Sequence, residues 1–171
     1  VDRWPRPAPV DVESARGGGK RQSHQAEVLC VAARGDLCAV GGRDSLIHVL
    51  DWRQKSVAYS LRGHSGAVTG LAFGDEDLFS TGDDGTMKHW RDRAHLETLF
   101  GHESSVRSLD LLDDRPLTGG ADATVRSWKI RDETHLVYRA RRGASVDACF
   151  LLSRDVFASA SDDGLLALWS A

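Results

Sequence analysis

A unit close to 40 residues long recurs along this chain, and that recurrence limits the fold more than any other feature. Its clearest copy runs from Gly63 to Trp90, GHSGAVTGLAFGDEDLFSTGDDGTMKHW. Two short alternating apolar runs, VTGLAF and LFSTG, flank the acidic turn GDED. A second turn, DDG, leads into a third run that ends at Trp90. Alternation with period 2 between Gly/Asp turns predicts a meander of short antiparallel strands.

The copies are found by their histidines. A histidine followed four residues later by valine stands at His24/Val28, His64/Val68 and His102/Val106, and Arg142/Val146 occupies the same place in a fourth copy. An aspartate before the third strand recurs at Asp44, Asp84, Asp122 and Asp163, and six residues after each come Leu50, Trp90, Trp128 and Trp169. Four strands per unit at this period predict β-propeller blades. The expected domain is a single propeller segment over 1–171, with repeats at about 24–61, 62–100, 101–139 and 140–171. Residues 1–4, VDRW, read as the end of a preceding blade, and 5–23 as a Gly-rich basic insertion. The fold expected is all-β: about four blades of four-stranded antiparallel sheet, part of a larger, seven-bladed ring. A closed four-bladed ring is the alternative.

The repeated GH…SxxDGxxxxW pattern resembles the WD40 family. That resemblance implies that His64, Ser80, Asp84 and Trp90 form a buried hydrogen-bond set, as do His102, Thr118, Asp122 and Trp128. The fourth copy keeps Ser159, Asp163 and Trp169 but has arginine for histidine. The first has Val40 and Leu50 in the serine and tryptophan places. Serine, histidine and aspartate in one unit also suggest a hydrolase. However, a hydrolase needs one exposed nucleophile beside an oxyanion hole, whereas this set appears more than once and no GxSxG elbow exists. No catalytic residue is therefore expected, and no enzyme.

Other chemistry is sparse. GGGKR lacks the spacing of a phosphate-binding loop. The histidines and three cysteines show no CxxC or HExxH spacing, so neither metal nor cofactor is expected. The Asp pairs at 83–84, 113–114 and 162–163 read as β-turn residues. Cys30, Cys38 and Cys149 read as small buried hydrophobes. No run of 18 apolar residues exists and the first residues lack a signal peptide's apolar core, which favours an intracellular protein without membrane contact. The net charge of -3 does not suggest overall nucleic-acid binding, but local basic clusters do occur. Arg16, Lys20 and Arg21 lie in the insertion, Arg91 and Arg93 follow a third strand, and Arg139, Arg141 and Arg142 precede a first strand. Arginine suits phosphate and RNA through bidentate bonding and stacking, so the first and last clusters are the candidate RNA contacts. The residues expected on one rim, among them Glu27, Arg43, Asp83, Ser105, Arg107 and Asp147, are mixed in sign and include no aromatic anchor.

Within the WD40 family, three stretches in this order resemble the WD40 subunit of U3 small nucleolar ribonucleoproteins: HQAEVLCVA (24–32), HLETLFGHESSV (95–106) and LTGGADATVRSWKI (117–130). SASDDGLLALW (159–169) fits the next blade. The resemblance implies a non-catalytic RNA- and protein-binding scaffold in the nucleus and nucleolus. Its partners would be U3 small nucleolar RNA, box C/D core proteins and other pre-ribosome proteins, with no small-molecule substrate. Its role would lie in pre-18S rRNA processing and ribosome biogenesis. The competing reading is a WD40 peptide-binding adaptor, such as a ubiquitin-ligase substrate receptor or a signalling scaffold.

Overall fold

The computed structural model describes residues 27–132, 134–141 and 143–170. These form four antiparallel sheets, one after another along the chain. Blade 1 comprises β1 (Val28–Arg34), β2 (Leu37–Gly42), β3 (Leu46–Asp51) and β4 (Ser56–Arg62). Blade 2 comprises β5 (Val68–Phe73), β6 (Asp77–Gly82), β7 (Met87–Arg91) and β8 (Ala94–Leu99). Blade 3 comprises β9 (Val106–Leu112), β10 (Arg115–Gly120), β11 (Thr124–Lys129) and β12 (Thr134–Arg139). Blade 4 contains three described strands, β13 (Val146–Leu151), β14 (Val156–Ser161) and β15 (Leu166–Ser170). The inner strands pack in series, β1 on β5, β5 on β9 and β9 on β13.

Two local devices repeat. The first strand of each blade carries a bulge just after its valine, at Val28/Cys30, Val68/Gly70, Val106/Ser108 and Val146/Ala148. A bulge bends a strand and re-aims the extra residue, which here is Leu29, Thr69, Arg107 or Asp147. The turn between second and third strands needs a left-handed residue right after its aspartate: Ser45 (φ 62), Gly85 (φ 74), Ala123 (φ 61) and Gly164 (φ 80). Glycine adopts this conformation freely, whereas serine and alanine are strained in it.

The core lies between blades. Val49, Ile47 and Leu61 of blade 1 meet Val68, Leu71 and Trp90 of blade 2. Phe79 and Met87 of blade 2 meet Trp128, and Leu117 and Val125 of blade 3 meet Val146 and Phe157 of blade 4. Each blade therefore covers the tryptophan-bearing face of the next. The two ends of the series lack such cover. Leu166 is 72% exposed, while Ile47, Met87 and Val125 in the same register are 0–1% exposed. At the other end Val28 is 61% exposed, although Val68, Val106 and Val146 are fully buried. The four blades thus form an open arc with two apolar end faces, the geometry of part of a larger ring; a closed four-bladed ring would bury both.

Candidate functional site

The polar residues shared by the repeats converge at one end of each blade. In every blade the aspartate before the third strand first serves its own turn. One oxygen accepts the backbone N–H two residues on, from Leu46, Thr86, Thr124 and Leu165 to Asp44, Asp84, Asp122 and Asp163. The side chain mimics a backbone turn, which explains aspartate at this position in all four copies.

In blades 2 and 3 the aspartate also receives a histidine. His102 Nδ1 lies 3.0 Å from Asp122, its Nε2 lies 2.8 Å from Thr118 Oγ1, and Trp128 Nε1 donates to the same hydroxyl at 2.8 Å. Blade 2 repeats this: His64 to Asp84 at 2.9 Å, His64 to Ser80 at 2.8 Å, and Trp90 to Ser80 at 2.8 Å. Indole nitrogen can only donate, so proton positions follow along the chain. The tryptophan donates to the hydroxyl, the hydroxyl donates to Nε2, and Nδ1–H donates to the carboxylate. With Nδ1 protonated and Nε2 accepting, the His102 imidazole is neutral in this arrangement. Burial holds the His102 pKa below its usual value, and its aspartate opposes that shift only partly. The His64 and Thr86 hydrogen bonds, with the Ser65 N–H, outweigh burial and hold the Asp84 carboxyl far below the usual range. Asp122 is likewise lowered against burial by Thr124, the Glu103 N–H and His102.

The hydroxyl–histidine–carboxylate order is that of a hydrolytic triad, yet its setting differs. Ser80 and Thr118 are completely buried, and each hydroxyl oxygen already accepts an indole N–H. A nucleophile must reach a substrate carbonyl beside an oxyanion hole, and neither oxygen is accessible for that.

Blades 1 and 4 differ. In blade 4 Trp169 donates to Ser159 at 2.8 Å, and Asp163 serves its turn. In blade 1 His48, on the third strand, bridges Asp44 and Ser60 at 3.2 and 2.8 Å. Sequence reasoning missed His48, because the resemblance looked for histidine only before the first strand. Its register partners are Lys88, which donates to Thr98 at 2.9 Å, and Arg126, which meets His135 at 2.6 Å. The only available signal was a polar residue recurring two places before the tryptophan position.

The basic clusters divide unequally. Arg16, Lys20, Arg21 and Arg142 lie outside the described residues. Arg139 ends β12 and Arg141 sits in the following turn, both exposed. Arg91 is bound to Asp77 through two nitrogens, and Arg93 lies over the Tyr59 ring, 4.9 Å from its centre. These two, with Arg34 and Asp75, line a cleft of about 480 Å³ between blades 1 and 2, in which Arg34 pairs with Asp75 and Arg91 with Asp77. On the opposite rim Arg43 pairs with Glu27, Ser105 bonds Asp83, and Arg107 faces Asp147. Among the described residues no group of three or more His, Cys, Asp or Glu could hold a metal ion. All three cysteines are free; burial pushes the thiols of Cys30 and Cys149 up to about 11 and about 12.

Sequential antiparallel sheets, with histidine–hydroxyl–tryptophan chains in blades 2 and 3, define a WD40-repeat β-propeller. The family described as "WD domain, G-beta repeat" matches residues 55–91 and 93–129. Among its members the chain is similar to U3 snoRNP-associated proteins. It is 37% identical over 155 residues to the U3 snoRNP-associated protein-like EMB2271 of Arabidopsis thaliana, covering 88% of this chain and 32% of that one. The solved structure of U3-55K shares 38% identity with a TM-score of 0.81, over 88% of this chain and 48% of that one. The RRP9 WD40 repeats share 38% with a TM-score of 0.79, over 84% and 46%. The chain therefore spans about a third of the curated relative and about half of the solved ones.

Proposed function

We propose that this chain is part of the WD40 scaffold of a U3-type small nucleolar ribonucleoprotein, acting in pre-18S rRNA processing in the nucleolus. The observation that carries this reading is the 37% identity to a U3 snoRNP-associated protein over 88% of the chain. Its partners under this reading are U3 small nucleolar RNA, box C/D core proteins and other pre-ribosome proteins. The buried histidine–hydroxyl–tryptophan chains hold the blades, and binding falls to the exposed loops that this rigid frame presents. Arg139 and Arg141 are the described RNA contacts in this reading; Arg16, Lys20, Arg21 and Arg142 are further contacts drawn from the sequence. The rim that carries Glu27, Arg43, Asp83, Ser105, Arg107 and Asp147 has internally paired charges, which gives the peptide-adaptor reading little support.

The test is recovery of the tagged chain from nuclear extract, followed by sequencing of the bound RNA. U3 small nucleolar RNA enriched severalfold over other small RNAs is the expected result. Equal recovery of all small RNAs, or co-purification of ubiquitin-ligase or signalling subunits without RNA, would overturn the proposal.

A further inference from the structure

Phe100 is out of place in this fold. It follows β8 and precedes Gly101 on the loop that enters blade 3, and it is 74% exposed. The neighbouring Leu99 is buried, so the chain had an apolar site within reach and left this ring in water. Arg62 and Ala140 occupy the same register in the adjoining blades.

Directly beside Phe100 lies a buried cation. A methyl group on Gly101 would come within 2.7 Å of Arg126 Nη1, so the loop backbone rests on that guanidinium. Arg126 is 8% exposed. Its Nη1 contacts His135 Nε2, its Nη2 stands 3.9 Å from Asp122, and its Nε has no hydrogen-bond partner among the described residues. Asp122 is already occupied by His102, Thr124 and the Glu103 N–H. Glu103 is the other carboxylate acting on Arg126, while Arg139 adds positive charge. Arg139 pairs in register with Thr124, and the next residue, Ala140, donates its N–H to the Ala123 carbonyl. Phe100 and Arg139 therefore lie on the two loops at the same end of blade 3, Phe100 next to the Gly101 that rests on Arg126, and Arg139 close enough for its charge to act on Arg126, whose nearest carboxylate, Asp122, stands 3.9 Å away. A buried charge without a close counterion is unfavourable, and an incoming anion would relieve it.

We propose that Phe100, Arg126 and Arg139 form a subsite for an unpaired nucleotide of RNA, with the base stacked on the Phe100 ring and its phosphate held by Arg139 above Arg126. This rests on the preceding reading that the chain binds RNA. It adds the residue that receives a base, which the arginine clusters alone do not supply. Aromatic stacking accepts any base and demands a single strand, whereas the arginines read only the phosphate.

The experiment measures binding of a fluorescein-labelled ten-nucleotide oligouridine by anisotropy over a range of salt, for wild type, Phe100→Ala, Phe100→Trp and Arg139→Gln. Phe100→Ala is expected to weaken binding by about five- to a hundredfold with no change in salt slope. Phe100→Trp keeps the affinity, and Arg139→Gln lowers the salt slope by about 0.7, the value for one phosphate contact on a single strand. A ten-base-pair RNA duplex, whose bases are already stacked, is expected to be insensitive to Phe100→Ala. At this exposure the Phe100 variants keep the wild-type melting temperature, so the comparison reads binding and not folding. Wild-type affinity in Phe100→Ala, with the wild type still binding, would overturn the subsite and leave the RNA reading intact. No binding by the wild type at low salt would overturn the RNA reading itself. Loss of a co-purifying protein in Phe100→Ala at unchanged RNA affinity would mark the ring as a protein contact and overturn the subsite as well.

Discussion

Thr118→Val tests the buried polar chains most directly. The two side chains have nearly the same shape, so the substitution exchanges a hydroxyl for a methyl and opens no cavity. Thr118 is fully buried, and its oxygen serves two partners, accepting from Trp128 Nε1 and donating to His102 Nε2, both at 2.8 Å. Valine leaves both partners without a bond in a place water does not reach. Each orphaned buried group costs about 1–3 kcal/mol, and the extra apolar contact returns part of that, so a net loss of about 3 kcal/mol is expected. For a chain of this size that is a fall in melting temperature of about 6–12 °C. Ser159→Ala in blade 4 provides the scale, because Ser159 is also buried and, among the described residues, its hydroxyl bonds Trp169 alone. It is expected to cost about half as much. Urea unfolding of wild type and both variants reads the difference as a shift in midpoint at constant slope. If Thr118→Val costs less than about 0.5 kcal/mol, or no more than Ser159→Ala, then the chain from tryptophan to aspartate does not carry the stability assigned to it.

Further outcomes follow from the same geometry. Ala123→Gly relieves a left-handed alanine at φ 61, where Gly85 and Gly164 stand in the other blades, and is expected to stabilise the chain by about 0.5–1 kcal/mol in the same urea assay; a loss of stability would show that the turn is not strained. His102 has a folded pKa held below its unfolded value of 6.5 by burial, so the unfolded chain takes up the proton first. Stability is then full above pH 6.5 and falls as pH drops below it, at up to about 1.4 kcal/mol per pH unit for one proton; a flat profile from pH 7.5 to 5.5 would contradict the neutral, buried imidazole. His102→Ala is expected to lower the melting temperature more than His135→Ala, and equal shifts would remove His102 from the buried chain. Cys149, whose thiol burial pushes up to about 12, is expected to resist alkylation at pH 8 until urea is added; labelling equally fast in folded and unfolded protein, read by mass spectrometry, would refute its burial.

The blades could be read from the sequence because each depends on short-range chemistry that recurs: alternating apolar strands, an aspartate at a turn, a tryptophan six residues on. Four copies in register make a pattern that a single copy could not. The same comparison concealed whatever departs from it. His48 does not occupy the histidine place, yet it reaches Asp44 from the third strand because the two lie close across the turn. Leu166 and Leu168 have the alternation of core residues, indistinguishable in sequence from Ile47 and Val49, and only the assembled arc reveals that they stand exposed among the described residues. Arg91 looked like a free basic residue until strand pairing set it beside Asp77. Burial and cross-blade contacts of this kind are three-dimensional properties of neighbours distant in sequence, and residue spacing does not encode them.

The polar chains are distributed unevenly among the blades. A buried hydrogen-bond chain strengthens the fold only where water is excluded from its surroundings, since the same groups in water bond equally well to solvent. The tryptophan-bearing face of a blade is sealed by the blade before it. Blades 2 and 3 have that cover, from blades 1 and 2, and both carry the full histidine–hydroxyl–tryptophan chain. Blade 4 is covered by blade 3 and retains its tryptophan–serine bond. In blade 1 Val40 and Leu50 stand where hydroxyl and indole would be. A neighbour on that face of blade 1 in a larger ring meets the apolar side chains of Val28, Val31, Val40 and Leu50 together with His48, which stands opposite Val40 and bonds Asp44 and Ser60. Hydrophobic burial of the valines and Leu50 would therefore act there beside the His48 hydrogen bonds, which covering would remove from water.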